Sequence, residues 1–317
     1  MTVDAASSAF LAQLVEQEAK PFHQMSPQEA RAFMADLREV AGPGPDMHRV
    51  EETELGQGTQ RFRVRALLPS ANPRGLIVYY HGGGWVVMSI DDYDTLGRRL
   101  ARETGCTVLL VDYRLAPEHR YPAAVEDAWL ALNWAALQRE ALTGDADAPL
   151  VVAGDSAGGN LAAVVAQRAV RAGTPQLALQ VLVYPVTQPE QDTPGYLDPA
   201  NQGLLGQADM AWFWDHYLPE VERRWEVDAS PLLADDLRGL PPAVVITAEH
   251  DVLRDEGEAY AQALAMAGVP TIWRRFDGQI HGFFTLLNVL PTSETGRAFI
   301  VAEIDQRLQM LLSPTPA

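Results

Sequence analysis

A glycine-rich turn between an apolar run and a helical pattern constrains the fold of this chain more than any other segment. The run Leu150–Ala153 precedes Gly154-Asp155-Ser156-Ala157-Gly158, and apolar residues recur at helical spacing from Leu161 onward. Glycines two positions before and after Ser156 allow a strand and a helix to approach closely, and the sharp turn points the serine hydroxyl outward. The pattern predicts a strand-turn-helix unit with Ser156 at the carboxyl end of its strand.

Short apolar runs alternate with helical patterns along most of the chain. Strands are predicted near 62–68, 76–80, 107–112, 150–154, 179–184, 243–248 and 270–276, and helices near 93–104, 122–139, 157–172, 255–267 and 293–311. Parallel strands need crossover connections, which are usually helices. The sequence therefore predicts an α/β fold with a mostly parallel, doubly wound central sheet flanked by helices. With 317 residues and 47% hydrophobic content, we expect one domain with insertions.

Two segments lie outside this alternation. Residues 1–45 contain a helical pattern near 8–20, and a capping box at Ser26-Pro27-Gln28-Glu29 opens a second helix that Gly42 closes. The apolar face predicted for that second helix consists of Ala30, Phe33, Met34 and Leu37. The second segment, at about 186–230, is rich in proline and glycine and then contains an aromatic helical pattern from Met210 to Tyr217. We interpret it as an inserted lid.

Composition and charge restrict the partners, the covalent cross-links and the location expected of this chain. The net charge of −18 argues against nucleic acid, because phosphates must be neutralised by Lys and Arg. The single cysteine, Cys106, excludes an intramolecular disulfide and is expected to be a buried strand thiol. No apolar stretch reaches the length of a membrane span, and Asp4 stands where a secretory signal would be positive. These observations predict a cytoplasmic protein.

Ser156 is the candidate nucleophile, and an alcohol needs a neutral imidazole within hydrogen-bond reach to take its proton. His281 lies in a short loop after the last predicted strand, so we expect it at the same edge of the sheet as Ser156. The order serine, acid, histidine along the chain also fits hydrolases of this kind. His250, which follows the strand near 243–248, is the alternative base.

The acid that orients the imidazole is expected in the run from Glu249 to Gly257. Asp251 is the preferred candidate because it lies in the turn directly after the strand, and Glu249 is its main competitor. Asp255 and Glu256 are interpreted as the solvated first turn of the next helix, where carboxylates interact favourably with the helix dipole.

A second glycine cluster, His81-Gly82-Gly83-Gly84-Trp85, follows the predicted strand at 76–80. Backbone amides of such a loop can stabilise the oxyanion that forms when a nucleophile attacks a carbonyl. Gly83 and Gly84 are the predicted donors, the amide of Ala157 is the third, and Gly82 is expected to shape the turn. The sequence contains no phosphate-binding glycine motif and no metal signature, so neither a cofactor nor a metal is predicted.

Taken together, the chain resembles the hormone-sensitive-lipase-like carboxylesterases, the bacterial family IV of the α/β-hydrolase superfamily. The blocks that carry the resemblance are His81 to Trp85, Tyr113 to Glu118 with Tyr121 to Asp127, Gly154 to Asn160, and Asp251 to Gly257 with His281 to Phe283. The chain departs from the family pattern at Val252, where proline is frequent, and at Arg120; neither position belongs to the predicted chemistry.

The resemblance implies hydrolysis of carboxylic esters through an acyl-enzyme, with Ser156, Asp251 and His281 as the triad. It also implies that residues 1–45 form an N-terminal helical cap segment, and that residues 46–317 form a catalytic domain with the inserted cap segment at about 186–230. Short to medium acyl chains are expected. The candidate substrate contacts are Trp85, Asp155, Tyr184, Phe213 and Trp214.

Three matters stay open at this point. The same fold and triad can act on amides, lactones or thioesters, because the triad does not itself select the leaving group. A non-catalytic ligand receptor is the alternative from another class, although known receptors that resemble this family lack the catalytic histidine that His281 supplies here. The expected partner is a small-molecule ester, with the chain as a monomer or as a homodimer through the edge strand near 270–276.

Overall fold

The computed structural model describes residues 2–36 and 38–312, and a sheet of eight strands forms its centre. The strands are β1 (Arg49–Leu55), β2 (Phe62–Leu68), β3 (Leu76–Tyr80), β4 (Thr107–Asp112), β5 (Leu150–Asp155), β6 (Leu179–Val183), β7 (Ala243–His250) and β8 (Thr271–Ile280). Their order in the sheet is β1-β2-β4-β3-β5-β6-β7-β8. β2 pairs antiparallel with β1 and with β4, and every pair from β4 to β8 is parallel. β5, which ends beside Ser156, therefore lies near the middle of the sheet.

Helices cover both faces of this sheet. They are α1 (Ala5–Glu16), α2 (Pro27–Asp36), α3 (Arg38–Ala41), α4 (Asp94–Thr104), α5 (Ala123–Leu137), α6 (Arg139–Thr143), α7 (Ala157–Ala172), α8 (Pro194–Leu197), α9 (Gln207–Tyr217), α10 (Arg254–Met266) and α11 (Thr292–Leu312). Buried side chains of α1, α4 and α11 join the core on one face, and those of α5, α7 and α10 join the core on the other. The doubly wound α/β prediction is confirmed.

All seven predicted strands are present, but β1 was not predicted. Its sequence reads Arg-Val-Glu-Glu-Thr-Glu-Leu, and only Leu55 is buried. A strand that is solvated on both faces carries no apolar alternation, which is the signal by which strands are recognised. β1 pairs with β2 alone at the edge of the sheet, so backbone hydrogen bonds rather than burial define it.

The first helix begins and ends earlier than predicted. α1 spans Ala5–Glu16 instead of 8–20, because the Asp4 carboxylate accepts a 2.7 Å hydrogen bond from the amide of Ser7 and caps the helix. The capping box of the second helix is confirmed: the amide of Ser26 donates to Glu29 Oε2 at 2.8 Å, and the amide of Glu29 donates to Ser26 Oγ at 3.2 Å. Leu37 of its predicted apolar face lies outside the described residues, and α3 precedes Gly42.

The N-terminal segment and the insertion between β6 and β7 contact each other. The rings of Phe22 and Phe213 lie 5.3 Å apart, centroid to centroid. His23 Nδ1 lies 2.8 Å from Asp209 Oδ1, and the backbone amide of His23 donates to the same oxygen at 3.0 Å. α9, which carries Asp209 and Phe213, therefore links the two segments that interrupt the α/β alternation.

The turn between β5 and α7 is the tightest backbone approach in the region that positions Ser156. A Cβ added to Gly158 would overlap the carbonyl oxygens of Tyr80 and His81, at the end of β3. A Cβ added to Gly154 would overlap the carbonyl group of Gly158. Since all of these obstacles are backbone atoms, no side-chain rotation relieves them. At both positions of the motif, only glycine leaves room for the neighbouring backbone.

We predict that Gly158→Ala lowers the free energy of unfolding by about 3 kcal/mol, because strand and helix must separate to accept the methyl group. Gly105→Ala is the matched control: its φ of 69° makes alanine unfavourable, but the added Cβ would meet only the flexible side chain of Arg74 at 3.3 Å. Urea unfolding is expected to give a loss of about 1 kcal/mol for the control. Equal losses for the two variants would contradict the clearance argument.

Candidate active site

Ser156 occupies the strained turn at the carboxyl end of β5. Its φ of 55° and ψ of −119° are uncommon for a residue with a side chain. The amide of Ser156 donates to the carbonyl of Val183 at 2.8 Å, and its carbonyl accepts from the amide of Asn160 at 3.0 Å. These bonds anchor the turn to β6 and to the first turn of α7. Strain that neighbouring structure maintains in this way is typical of functional sites.

Asp251 and His281 form a hydrogen-bonded pair in the loops that follow β7 and β8. His281 Nδ1 lies 2.7 Å from Asp251 Oδ2, and Asp251 Oδ1 accepts from the amide of Leu253 at 2.9 Å. Asp251 is fully buried, while 12% of the His281 side chain is exposed. A neutral imidazole that donates from Nδ1 to the carboxylate has its lone pair on Nε2, which is the form a general base needs.

Glu249 and His250, the alternative acid and base, contact other groups. Glu249 Oε2 accepts a 2.7 Å hydrogen bond from the amide of Gly278 in β8, and His250 Nε2 lies 3.8 Å from the same carboxylate oxygen. The carboxylate that His281 contacts is therefore that of Asp251. The register irregularity between β7 and β8 at Ala248 and His250 falls beside these residues.

Asp255 and Glu256 lie in the first turn of α10 as predicted, but the prediction that this turn is solvated is wrong. Glu256 is buried, its Oε1 accepts from the amide of Thr187 at 2.7 Å, and burial raises its pKa well above the usual value. Asp255 is partly buried, and its Oδ2 accepts from the amide of Gly195 at 2.6 Å. Both carboxyl groups accept hydrogen bonds from the segment that follows β6, which covers Glu256 fully and Asp255 in part.

Gly83 and Gly84, in the glycine loop after β3, line the same cavity as Ser156. Gly83 and Gly84 have φ values of 101° and 57°, and the carbonyl of Gly83 accepts from the amides of Val86 and Val87. Among residues 2–36 and 38–312, no group accepts a hydrogen bond from the amides of Gly83, Gly84 or Ala157. Donors that have no acceptor in the resting structure can serve a developing oxyanion without first breaking another bond.

His81 and Asp155 hold the start of this loop. His81 Nδ1 donates to the carbonyl of Gly82 at 2.7 Å, and burial lowers the pKa of the imidazole. Asp155 Oδ1 accepts from the amide of Gly82 at 3.2 Å and from the Tyr79 hydroxyl at 2.9 Å, and Oδ2 accepts from the Tyr93 hydroxyl at 2.8 Å. Burial raises the pKa of Asp155 to about 6, against the opposing effect of these hydrogen bonds. Gly82 is thus fixed at its carbonyl and at its amide.

One cavity contains both Ser156 and His281. It is also lined by Gly83, Gly84 and three of the five predicted substrate contacts, namely Asp155, Tyr184 and Phe213. The Tyr184 ring lies 4.6 Å from the His281 ring. A Cβ on Gly84 would overlap the Phe213 ring, so this phenylalanine lies directly on the glycine loop.

The structure does not bring Trp85 and Trp214 to this cavity. Both side chains are fully buried. Trp85 stacks on Tyr217 with ring centroids 4.1 Å apart and contacts Trp214 in a tilted arrangement at 4.9 Å. They pack α9 onto the α/β body. Phe213 and Trp214 differ because consecutive helical residues point about 100° apart, so only one of them faces the cavity.

Sequence reasoning missed most of the apolar lining. Most of the additional residues come from the N-terminal segment, the insertion and the loop after His281, and three come from the glycine loop and α4: Phe22, Met34, Val40, Ala41, Leu204, Leu205, Met210, Leu286, Leu287 and Val289, with Val87, Met88 and Leu96. Met34 was on the predicted apolar face of the second helix, which is the signal that this helix covers something. What it covers depends on long-range contacts that periodicity does not encode.

Comparisons with known proteins agree with this geometry. Residues 77–285 match the alpha/beta hydrolase fold family. Carboxylesterase NlhH of Mycobacterium tuberculosis is 38% identical over 276 residues, covering 84% of this chain and 86% of the relative. The ethyl acetate hydrolase of Pseudomonas putida is 34% identical, covering 91% and 92% respectively. The solved esterase of the archaeon Pyrobaculum calidifontis superposes with a TM-score of 0.90 at 38% identity, covering 99% of this chain and 100% of that chain.

The chain belongs to the hormone-sensitive-lipase-like carboxylesterases of the α/β-hydrolase fold. Within residues 2–36 and 38–312 of this esterase, no helix is long and apolar enough to cross a membrane. The same residues contain no cluster of three or more His, Cys, Asp or Glu side chains arranged to hold a metal ion.

An arginine in α2 ties the N-terminal segment of this esterase to the glycine loop. Arg31 donates from Nε to the carbonyl of Val86 and from a terminal nitrogen to the carbonyl of Ala116, both at 2.8 Å. Its guanidinium also forms two hydrogen bonds with the Glu118 carboxylate, at 2.8 and 2.7 Å, and holds the pKa of that group at about 2. Since 46% of Glu118 is exposed, solvent screens much of this attraction.

We predict that Glu118→Gln lowers the free energy of unfolding at pH 7 by about 0.5–1 kcal/mol. The folded-state pKa of Glu118 is depressed from 4.5 to about 2. Its stabilising contribution is therefore complete above pH 4.5 and is lost as the pH falls through 2. Urea unfolding at pH 7 and pH 3 is expected to show a smaller difference from wild type at the lower pH. Glu16→Gln, at the exposed end of α1, is the control, and a pH-independent difference for Glu118→Gln would contradict the argument.

Proposed function

We propose that this esterase hydrolyses small carboxylic esters by nucleophilic catalysis, with Ser156 as nucleophile, His281 as base and Asp251 as the orienting acid. The observation that carries the proposal is the 2.7 Å hydrogen bond from His281 to a fully buried Asp251, in an imidazole that lines the same cavity as Ser156. The names of the relatives, which include a carboxylesterase and an ethyl acetate hydrolase, support an ester substrate.

In the acylation step, Ser156 Oγ attacks the acyl carbonyl while His281 Nε2 takes its proton. The Asp251 side chain stabilises the imidazolium through its hydrogen bond, and the amides of Gly83, Gly84 and Ala157 donate to the oxyanion. The tetrahedral intermediate then collapses: the bond to the alkoxy oxygen breaks, His281 returns the proton to that oxygen, and the alcohol leaves. A serine ester remains.

Deacylation repeats these steps with water in place of the serine. His281 Nε2 takes a proton from the water, the water oxygen attacks the acyl carbonyl, and the same amides donate to the second oxyanion. Collapse of this intermediate releases the carboxylic acid and returns the proton to Ser156. A fixed base beside the nucleophile favours this cycle over the alternative of a non-catalytic receptor.

The cavity lining supports short to medium acyl chains. Apolar side chains dominate it, and the charged residues Arg38 and Asp92 in the lining pair with each other at 2.7 Å. Phe213 lies on Gly84 and contacts Phe22, so aromatic rings limit the room beside the oxyanion donors. Uncharged acyl groups of limited length fit this arrangement best.

Residues 1–45 and 186–230 are proposed to act together as a cap over this cavity, with the remainder of residues 46–317 as the catalytic domain. The contacts of Phe22 with Phe213 and of His23 with Asp209 support the proposal, because they join the two segments at the cavity. A cap of this kind excludes water, which strengthens the electrostatic interactions inside the site.

We predict that Ser156→Ala lowers kcat for an activated aryl ester by at least about 10³-fold, because the acyl-enzyme cannot form. Ser230→Ala is the matched control: Ser230 is also buried, but its hydroxyl donates to the carbonyl of Arg224, away from the cavity lining. Steady-state assays, together with thermal unfolding to verify folding, are expected to show full activity for the control. Substantial activity of a folded Ser156→Ala enzyme would refute the proposed nucleophile.

A series of aryl esters from acetyl to palmitoyl tests the acyl preference. We expect kcat/KM to be highest between acetyl and octanoyl and to fall by at least about 10-fold toward palmitoyl, because Phe213 restricts the cavity. Phe213→Ala is expected to move the optimum toward longer chains, whereas Trp225→Ala, which removes an exposed aromatic ring from the insertion, leaves it in place. An optimum at palmitoyl would contradict the proposed class, and matched amide, lactone and thioester substrates test the other leaving groups.

A further inference from the structure

Asp155 lies between the nucleophile and the glycine loop and bonds to the loop rather than to the triad. Its carboxylate accepts hydrogen bonds from the hydroxyls of Tyr79 and Tyr93 and from the amide of Gly82. The Tyr93 hydroxyl also accepts from the amide of Gly82 at 3.0 Å, so carboxylate, hydroxyl and amide form a closed arrangement. These residues belong to three different segments: the end of β5, the strand β3 and the residue before α4.

The position of Gly82 determines where the predicted oxyanion donors lie. Gly82 directly precedes Gly83 and Gly84 in the chain, and Asp155 directly precedes Ser156. A 3.2 Å hydrogen bond from the Gly82 amide to Asp155 Oδ1 therefore joins the residue next to the donors to the residue next to the proposed nucleophile. Oxyanion donors must lie within about 3 Å of the oxygen they serve, so small shifts of the loop weaken them.

We propose that Asp155, Tyr79 and Tyr93 are positioning residues that hold the oxyanion loop at a fixed distance from Ser156. The two hydroxyls fix the Asp155 carboxylate, and the carboxylate fixes the amide of Gly82. The unit acts on the chemical step, because the oxyanion develops only as the acyl carbonyl becomes tetrahedral, and it leaves binding of the uncharged substrate largely unchanged.

Burial and charge are consistent with this role. Asp155, Tyr79 and Tyr93 are almost completely inaccessible to solvent, so a shift of one group leaves a buried polar atom without its partner. Burial and the neighbouring Asp155 carboxylate raise the pKa of both tyrosines well above the usual value, which keeps both hydroxyls protonated as donors. Both Asp155 and Tyr93 also reach the cavity lining.

Tyr80 provides a matched control in the same strand. It is as buried as Tyr79, and its hydroxyl donates to the carbonyl of Ala128 at 3.0 Å, in α5. Side chains of consecutive strand residues point to opposite faces of the sheet, so Tyr79 faces Asp155 and Tyr80 faces away from it. Replacement by phenylalanine removes one buried hydroxyl and one hydrogen bond at either position, and only Tyr79 contacts the proposed positioning unit.

The experiment compares Tyr79→Phe, Tyr93→Phe and Tyr80→Phe in the full chain. We measure kcat and KM for an activated acyl ester, the rate of covalent inactivation by an aryl phosphonate, and the thermal midpoint. The phosphonate places a tetrahedral, anionic centre on the serine and therefore reports the oxyanion site in a single step. We expect kcat and the inactivation rate to fall about 10-fold for Tyr79→Phe and Tyr93→Phe, with KM within about twofold of wild type.

Tyr80→Phe is expected to lower the thermal midpoint by a similar amount and to keep the wild-type kcat. The double variant Tyr79→Phe/Tyr93→Phe is expected to lose less than the product of the single effects, because both hydroxyls act through one carboxylate. Asp155→Asn, which preserves size and one acceptor oxygen, is expected to lose at least as much kcat as either tyrosine variant.

Three outcomes would overturn the proposal. They are a wild-type kcat in folded Tyr79→Phe and Tyr93→Phe, an equal loss of kcat in Tyr80→Phe, or a loss confined to KM. The proposal rests on the proposed function, and the two fail differently. If Ser156→Ala keeps its activity, the nucleophile assignment fails; if that variant is inactive and the tyrosine variants are not impaired, only the positioning role fails.

Discussion

The close approach of α7 to the end of β3 is the constraint on which the rest of the site depends. Gly158 lies against the carbonyls of Tyr80 and His81, and this is possible only without a Cβ. The same two carbonyls begin the glycine loop that carries the predicted oxyanion donors. This backbone contact limits how the serine turn and the start of the loop can be arranged, and the hydrogen bonds of Asp155 to Gly82, Tyr79 and Tyr93 act within that limit.

Sheet topology explains why the candidate catalytic residues could be placed together from the sequence, while the residues that surround them could not. In a parallel sheet the loops that follow the strands meet at one edge, so the residues after β5, β7 and β8 could be placed together from the sequence. The Asp251–His281 contact follows from that rule. β1 escaped prediction because its exposed, glutamate-rich sequence carries no burial signal, and Glu256 was misinterpreted because the segment that covers it comes from far along the chain.

The sequence also does not specify which single residues line the cavity. The aromatic helix α9 was predicted, and its position in the chain was correct. Which of its rings reaches the cavity depends on the rotation of that helix about its axis, which contacts with Phe22, Trp85 and Gly84 determine. Composition and periodicity specify that aromatic residues are buried there, but they do not divide them between packing and substrate contact.

Asp155, Asp251 and Glu256 are all buried, and their environments differ. Asp251 pairs with the imidazole of His281, which becomes positive in the proposed mechanism. Burial and the nearby Asp251 charge raise the pKa of Glu256 well above the usual value, which favours its neutral form. Among the residues that the structure describes, no cation lies within hydrogen-bond distance of Asp155, whose donors are the neutral hydroxyls of Tyr79 and Tyr93 and the amide of Gly82. The proposed reaction creates an oxyanion in this site, and a carboxylate beside Ser156 would repel that oxyanion. The three donors spread the charge of the Asp155 carboxylate, and the same hydrogen bonds position the loop that receives the oxyanion. One set of hydrogen bonds thus both reduces the repulsion from Asp155 and positions the proposed oxyanion donors.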